Sequence, residues 1–247
     1  MKEHKSHNTV IPQTYSGSGK KEKVEAMFDS IAGKYDLLNH VLSGGIDYQW
    51  RKRVINILKE HQPKTILDVA TGTGDLAIAE IRLNPEKITG VDISAGMLDV
   101  GRKKIAEKKL SHKIEMIQAD SAALPFADES FDAVTVAFGV RNFENLDNGL
   151  KEMYRVLRTG GVMIILEFSQ PQQFPVKQLY RLYSRKIMPS IGQLLSKQKA
   201  AYEYLPESVE AFPYGKKMVD ILMMQGFKNT KCTPLTFGIA SIYVGTK

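Results

Sequence analysis

Residues 65–75 read Thr-Ile-Leu-Asp-Val-Ala-Thr-Gly-Thr-Gly-Asp, an apolar run followed by a glycine turn and an acid that can open a helix. A strand that passes into a helix through two closely spaced glycines is typical of nucleotide-binding α/β sheets. Gly72 and Gly74 allow the backbone to turn tightly and to approach a ligand, because no Cβ stands in the way. The pattern therefore predicts a ligand site at the carboxyl end of a strand.

Strand-length apolar runs and helical segments alternate along the rest of the chain. The predicted strands are residues 65–70, 88–92, 114–118, 131–138, 162–168, 228–233 and 239–245. Two helices are predicted before the first strand, one from Lys21 to the break at Gly44-Gly45 and one from Tyr48 to Glu60. The later predicted helices are residues 75–82, 95–108, 146–157, 176–188 and 207–225, and the last of these is broken at Pro213. This order predicts an α/β fold: a doubly wound, Rossmann-like sheet of five parallel-type strands plus a C-terminal antiparallel hairpin, with helices on both faces.

The length of 247 residues fits one large domain. We expect a flexible basic tail over residues 1–20 and a single domain over 21–247, of which 21–60 form a helical cap. The single cysteine excludes an intrachain disulfide, and neither a signal peptide nor a bilayer-length apolar run is found, which predicts a cytoplasmic protein. The net charge is +7, but the sequence contains no nucleic-acid recognition motif, so we expect no nucleic-acid partner. Two partners stay open: the inner face of a membrane, and a second copy of the chain.

The acids around the glycine turn distinguish two cofactor classes. Asp92 ends the next predicted strand, where its carboxylate can accept hydrogen bonds from ribose hydroxyls. The glycine turn together with Asp92 also fits the fingerprint of dinucleotide-binding proteins. A dinucleotide would place its pyrophosphate against Asp75, where like charges repel. S-adenosylmethionine carries an ammonium and a sulfonium at its methionine end, which Asp68 and Asp75 would favour. The residues therefore favour S-adenosylmethionine.

The third predicted strand leads into Asp120-Ser121. We expect the Asp120 carboxylate to accept from an adenine amino group, while the following backbone N–H meets a ring nitrogen. The alternative for Asp120 is a helix or turn cap.

Several motifs together resemble those of the class I S-adenosylmethionine-dependent methyltransferases, and within them the ubiquinone/menaquinone biosynthesis C-methyltransferases. The class is indicated by the loop at 68–75, Asp92, Asp120-Ser121, Leu124-Pro125-Phe126 and Ser130-Phe131-Asp132. The family is indicated by Tyr35-Asp36-Leu-Leu-Asn39-His-Val-Leu42-Ser43 with Trp50, by Phe138-Gly-Val-Arg141-Asn142, and by Arg155-Val-Leu-Arg158-Thr-Gly160-Gly161 running to Leu166-Glu167-Phe-Ser169. The resemblance extends from residue 24 to the C-terminus.

The resemblance implies that Thr71, Asp92, Asp120 and Ser121 bind the cofactor. The departures from the family pattern are Leu38 for a methionine, Asp47 for a histidine, Thr159 for a proline, and Ala137 where a hydroxyl residue often contacts the cofactor. The implied substrate is a prenylated quinol methylated on a ring carbon. We favour demethylmenaquinol as the substrate, and the alternative substrate is a ubiquinone-pathway quinol. The alternative function is that of a scaffold protein that binds S-adenosylmethionine without turnover.

The candidate catalytic residues are Arg141 and Asn142, which follow the fourth predicted strand. A ring carbon attacks a methyl group more readily when a ring hydroxyl is ionised, and Arg141 could stabilise that phenolate. The alternative for Arg141 is a surface ion pair with Glu144 or Asp147. Asn142 could orient a hydroxyl or cap a turn.

Candidate substrate contacts on the N-terminal cap are Tyr35, Asp36 and Asn39, with packing or capping as the alternative for each. His40 is more typical of a structural histidine, and no base is assigned. The scattered histidines predict no metal site. The helix predicted from Val176 carries apolar residues at helical spacing, and basic ones at positions that include Lys177 and Arg181. It predicts either a buried lid or a surface for a prenyl tail and anionic lipid.

Overall fold

The computed structural model describes residues 7–184 and 199–247, which form one seven-stranded sheet of order β3-β2-β1-β4-β5-β7-β6. Its strands are β1 (Thr65–Val69), β2 (Lys87–Asp92), β3 (Ile114–Gln118), β4 (Phe131–Ala137), β5 (Leu157–Phe168), β6 (Lys228–Leu235) and β7 (Ala240–Thr246). Strands β1 to β5 pair in parallel, and β7 runs antiparallel between β5 and β6. The predicted fold class is confirmed.

The central strands are buried on both faces, which explains their nearly continuous apolar sequences. In β5, the six residues from Val162 to Glu167 are all buried, and Glu167 is the one charged residue among these six. The outer strands β3 and β6 instead mix buried or half-buried residues with exposed ones. Strand β5 starts five residues before its predicted start at residue 162, because Leu157 already pairs with Phe131 on β4.

Helices cover both faces of the sheet. They are α1 (Lys20–Ile31), α2 (Tyr35–Ser43), α3 (Ile46–His61), α4 (Asp75–Glu80), α5 (Ala95–Glu107), α6 (Leu146–Val156), α7 (Val176–Leu182), α8 (Lys199–Ala211) and α9 (Lys216–Met224). One apolar layer joins the sheet to α3, α4 and α5, and the other joins it to α6 and α9. The predicted break at Pro213 is confirmed, but the helix before it begins at Lys199 and not at residue 207. Residues 185–188 of the predicted lid helix lie outside the described residues.

The helices α1 and α2 pack over the carboxyl edge of the sheet, where a third apolar cluster joins α1 to α8. Part of the segment predicted as a tail is packed as well, since Val10 and Lys20 are buried. The division at residue 20 stays a prediction. Within the described residues, no helix is long and apolar enough to cross a bilayer.

Candidate active site

A cavity of about 390 Å³ lies at the carboxyl ends of β1, β2 and β4, beneath α1. Ligands of open α/β sheets bind at this edge. The cavity is lined by four of the residues predicted to bind the cofactor, and by apolar side chains that include Phe28, Val91 and Met97. The four are Gly72, Asp92, Asp120 and Ser121. We call it the first cavity.

The glycine turn carries the conformation that its sequence requires. Gly72 and Gly74 have φ angles of 57° and 79°, in the left-handed region that glycine adopts freely. A Cβ on Gly72 would lie 3.3 Å from Met97 Cε and 3.9 Å from Tyr35 Cε1, both of which line the first cavity. The absent side chain therefore leaves room at the cavity wall.

Asp92 ends β2 with its carboxylate held by backbone donors. The N–H of Gly72 donates to Oδ2 at 2.8 Å, and the N–H of Ser94 donates to Oδ1 at 2.9 Å. Burial raises the pKa of the Asp92 carboxyl. A carboxylate has about four acceptor positions, so Asp92 can still accept from ligand hydroxyls on the cavity side.

Asp68 and Thr71 lie beneath the glycine turn. The Thr71 hydroxyl donates to Asp68 Oδ2 at 2.6 Å, and Thr135 lies 3.2 Å from Oδ1 and 2.8 Å from Glu80 Oε1. Burial raises the pKa of Asp68 to about 7 and that of Glu80 well above its usual range. Burial therefore favours the neutral form of both carboxyls. Asp68 lines a narrow extension of about 30 Å³, which also borders on Tyr35.

The Asp75 carboxylate, which we expected to face the cofactor's charge, has protein partners. Its Oδ1 lies 2.6 Å from Lys104 Nζ, and its Oδ2 lies 3.4 Å from Arg51 Nη2. Asp75 lines the same narrow extension as Asp68. Whether it also contacts the cofactor stays a prediction.

Asp120 and Ser121 lie at the other end of the first cavity, beside α1. Asp120 Oδ2 forms an ion pair with Lys21 Nζ at 2.7 Å, and Oδ1 accepts from the N–H of Ala122 at 2.9 Å. The turn-capping alternative for Asp120 is thus present, but the residue also lines the cavity. An adenine amino group would have to share this carboxylate with Lys21.

A second cavity of about 480 Å³ lies next to the first and has a largely apolar wall. Its aromatic lining comprises Phe28, Tyr35, Trp50, Phe138, Phe168, Tyr180, Tyr183 and Tyr204. Phe28, Tyr35 and Phe138 line both cavities, so the two cavities adjoin at these rings. Two compartments that meet at three aromatic rings can bring two different ligands into contact.

Arg141 and Asn142 face different cavities. Arg141 lines the second cavity, and Asn142 lines the first, where its Oδ1 accepts from the Tyr204 hydroxyl at 3.2 Å. Arg141 is buried, and its Nη1 lies 2.9 Å from Glu167 Oε1, with the guanidinium 5.4 Å from the centre of the Phe168 ring. Arg141 Nη1 also donates to the Phe138 carbonyl.

The alternative for Arg141, a surface ion pair, is wrong. The arginine is buried because β4 and β5 are neighbours, so its loop lies against the end of the strand that carries Glu167. Glu144, one predicted partner, accepts from the backbone N–H of Lys20 at 2.9 Å.

Of the three substrate candidates on the cap, Tyr35 and Asn39 line the second cavity. Asp36 lines neither cavity. Its Oδ1 accepts from the Thr73 hydroxyl at 2.5 Å, and its Oδ2 lies 2.6 Å from Lys104 Nζ. These two contacts tether the cap to the sheet domain, and a substrate contact by Asp36 stays a prediction.

Glu167 and Arg51 were not among the predicted site residues. Glu167 could have been found, because a charged residue inside a buried apolar strand usually has a charged partner. Arg51 carries no such signal, since one charged residue on an amphipathic helix is ordinary.

The positions of these residues around the two cavities agree with the methyltransferase motifs found in the sequence. A profile of the ubiE/COQ5 methyltransferase family matches residues 17–247. The chain belongs to that family. It is an S-adenosylmethionine-dependent methyltransferase of quinone biosynthesis, which confirms the predicted family, activity and cofactor.

Bacterial relatives are similar to this chain over nearly their whole length. A demethylmenaquinone methyltransferase of Bacteroides fragilis is 53% identical over 235 residues, which cover 94% of this chain and 96% of the relative. A ubiquinone/menaquinone biosynthesis C-methyltransferase of Geotalea daltonii is 47% identical over 230 residues, 92% of this chain and 97% of the relative. Among solved structures, an S-adenosylmethionine-dependent methyltransferase of Thermotoga maritima shares the fold, with a TM-score of 0.63, 20% identity, and coverage of 90% and 98%.

Proposed function

We propose that this enzyme methylates a ring carbon of a prenylated hydroquinone and converts demethylmenaquinol to menaquinol. The observation that carries the proposal is the aromatic second cavity, which shares Phe28, Tyr35 and Phe138 with the first cavity. A flat, apolar ring with polar groups at its edge is the kind of ligand that such a lining suits. The name of the Bacteroides fragilis relative supports the choice of demethylmenaquinone.

The residues of the first cavity fit S-adenosylmethionine. Its volume falls within the range of about 300–1,000 Å³ for small-molecule sites. Asp92 offers acceptor positions for the ribose hydroxyls, Gly72 leaves the wall open, and Asp120 and Ser121 can meet the adenine. When bound, S-adenosylmethionine supplies a methyl group that its sulfonium already activates.

Arg141 is proposed to stabilise the phenolate of the ionised substrate. It lines the second cavity, and its Nε has no hydrogen-bond partner among the described residues, so a donor is available for a ligand oxygen. Glu167 fixes the guanidinium at its other side. Burial raises the pKa values of Tyr180 and Tyr204 to about 12, so both stay neutral near pH 7 and can donate hydrogen bonds.

The aromatic wall is proposed to align the two ligands. Phe28, Tyr35 and Phe138 border both compartments, so a ring held in the second cavity faces the first through them. The same rings exclude water from the reacting atoms. The ring hydrogen replaced by the methyl group leaves as a proton, and we assign no base to it.

Exposed apolar side chains near the second cavity support a peripheral membrane contact at the inner face of the membrane. Val41 lines the cavity and is half exposed, Leu179 and Leu182 flank the cavity residue Tyr180, and Phe237 adjoins the cavity residue Thr236. Leu179 and Leu182 are 62% and 50% exposed, so the alternative of a wholly buried stripe is wrong for them. Cytoplasmic location, membrane contact and a homo-oligomer stay proposals.

The acceptor is tested with purified enzyme, labelled S-adenosylmethionine and two reduced quinols. We expect kcat/KM to be higher for demethylmenaquinol than for a ubiquinone-pathway quinol of the same prenyl length. The Geotalea daltonii relative, whose name covers both pathways, makes the second quinol the relevant comparison. A preference for the ubiquinone precursor would replace the proposed substrate, and transfer to neither would contradict the proposal.

A further inference from the structure

The narrow extension beneath the glycine turn carries opposite charges. It shares five lining residues with the first cavity, which are Tyr35, Ala70, Gly72, Ala137 and Phe138. Its ionisable lining consists of Arg51 from α3, Asp68 from β1 and Asp75 from α4. A cation and two carboxyls around one small space suit a ligand group that itself carries both charges.

Arg51 is buried and only partly satisfied. Its side chain is one-tenth exposed, its Nη1 lies 2.5 Å from Asp47 Oδ2, and its Nη2 lies 3.4 Å from Asp75 Oδ2. Its Nε is buried and has no hydrogen-bond partner within residues 7–184 and 199–247. Buried donors in native proteins are nearly always satisfied, so an unpartnered donor of a cavity-lining residue is a candidate contact for a bound ligand.

The position of Arg51 is fixed by its helix. The preceding residue, Trp50, packs its ring 5.9 Å from that of Phe138 and donates from Nε1 to Thr236 at 2.9 Å. Asp47, one turn earlier, holds Nη1 and is itself bound by His40 Nδ1 at 2.8 Å. The guanidinium is thus oriented before any ligand arrives, which lowers the entropy cost of binding.

We propose that Arg51 binds the α-carboxylate of S-adenosylmethionine, with Asp68 and Asp75 facing its α-ammonium. The extension adjoins the first cavity on the side of the glycine turn, away from the end that holds Asp120. Arginine donates to carboxylates through charge-assisted hydrogen bonds, which are stronger than neutral ones. The inference rests on S-adenosylmethionine binding and does not depend on which quinol is methylated.

Decarboxylated S-adenosylmethionine isolates this contact, because it keeps the ammonium and the sulfonium and lacks only the carboxylate. Calorimetric titration of the full chain needs no quinol, so it is independent of the proposed substrate. We expect the wild type to bind S-adenosylmethionine about tenfold to a hundredfold more tightly than the decarboxylated ligand. In Arg51→Met this preference should nearly vanish, through weaker binding of S-adenosylmethionine alone.

Two variants serve as controls. Arg53→Met changes an exposed arginine on the same helix and should keep the wild-type preference. Arg51→Lys keeps a cation beside Asp47, and so guards against misfolding; it should show an intermediate preference. Circular dichroism and the midpoint of thermal unfolding verify that each variant is folded.

Three results would overturn the inference. Equal losses of affinity for both ligands in Arg51→Met and Arg51→Lys would show that Arg51 supports the fold only. An unchanged preference in both would place the carboxylate elsewhere. Unchanged binding of both ligands with a raised KM for the quinol would assign Arg51 to the second cavity, which it also lines.

Discussion

Replacing Arg141 by glutamine removes a cation that is buried against Glu167. The two side chains are 7% and 0% exposed, and Nη1 and Oε1 lie 2.9 Å apart. Removing one partner of a buried ion pair costs about 3–5 kcal/mol, because the remaining charge has no compensation. We therefore expect Arg141→Gln to lower the free energy of unfolding at pH 7 by about 3 kcal/mol or more.

The pH dependence of this loss has a definite sign. Burial raises the pKa of Glu167, and the nearby Arg141 opposes that rise. Without the arginine the folded-state pKa rises further, so the folded protein holds a proton that the unfolded chain releases. The remaining contribution to stability is present at low pH and is lost as the pH rises. The variant should therefore be closest to the wild type near pH 5.

The double variant Arg141→Gln/Glu167→Gln separates stability from catalysis. In this variant both members of the ion pair are replaced by neutral glutamine, so no unpaired charge stays buried. Urea unfolding should therefore show that most of the lost stability is restored. Turnover should not recover, because the cation is still absent. Removing one electrostatic stabiliser of a developing charge costs about 10²–10³ in kcat, while affinity for S-adenosylmethionine should change by no more than about twofold.

The measurements are urea unfolding, calorimetry with S-adenosylmethionine, and kcat at saturating quinol for both variants. If the double variant turned over at the wild-type rate, Arg141 would serve only to neutralise Glu167. If both variants lost S-adenosylmethionine binding as severely as turnover, the effect would lie in the first cavity and not on the substrate.

Three further predictions concern other groups. Asp92→Ala should weaken S-adenosylmethionine binding by several-fold to a hundredfold, about 1–3 kcal/mol, in calorimetry, and unchanged affinity would exclude the ribose contact. Because the pKa of Asp68 is raised to about 7, its stabilising contribution is present below pH 4 and is lost as the pH rises to 7; Asp68→Asn should flatten that slope in urea unfolding, and an unaltered slope would contradict it. Sedimentation with anionic vesicles should fall in Leu179→Ser/Phe237→Ser, and in Arg181→Gln at low salt; equal binding by all would leave no role for this surface.

The parts of the fold set by local sequence were predicted closely. Strand β3 has its predicted bounds, Ile114–Gln118, because it is a short apolar segment flanked by polar residues. Asp92 and Asp120 line the first cavity because both follow parallel strands, whose carboxyl ends meet at one edge.

The pairs that complete the site could not be predicted in the same way. Arg141 meets Glu167 across neighbouring strands, and Asp36 meets Lys104 across the cap. Periodicity and turn residues report on local structure and do not specify which distant side chains come together. Asp36 is an example: its motif gave no indication of the ion pair that it forms with a residue 68 positions away.

The proposed reaction of this enzyme is the transfer of a methyl group from S-adenosylmethionine to a carbon of a reduced quinol ring. The most direct test is to incubate the enzyme with methyl-labelled S-adenosylmethionine and demethylmenaquinol, and to locate the label by NMR of the extracted product. We predict label on a ring carbon, in equal amount to the S-adenosylhomocysteine formed, and none when the oxidised quinone is supplied. Label on a ring oxygen, or equal transfer to the oxidised quinone, would contradict the claim.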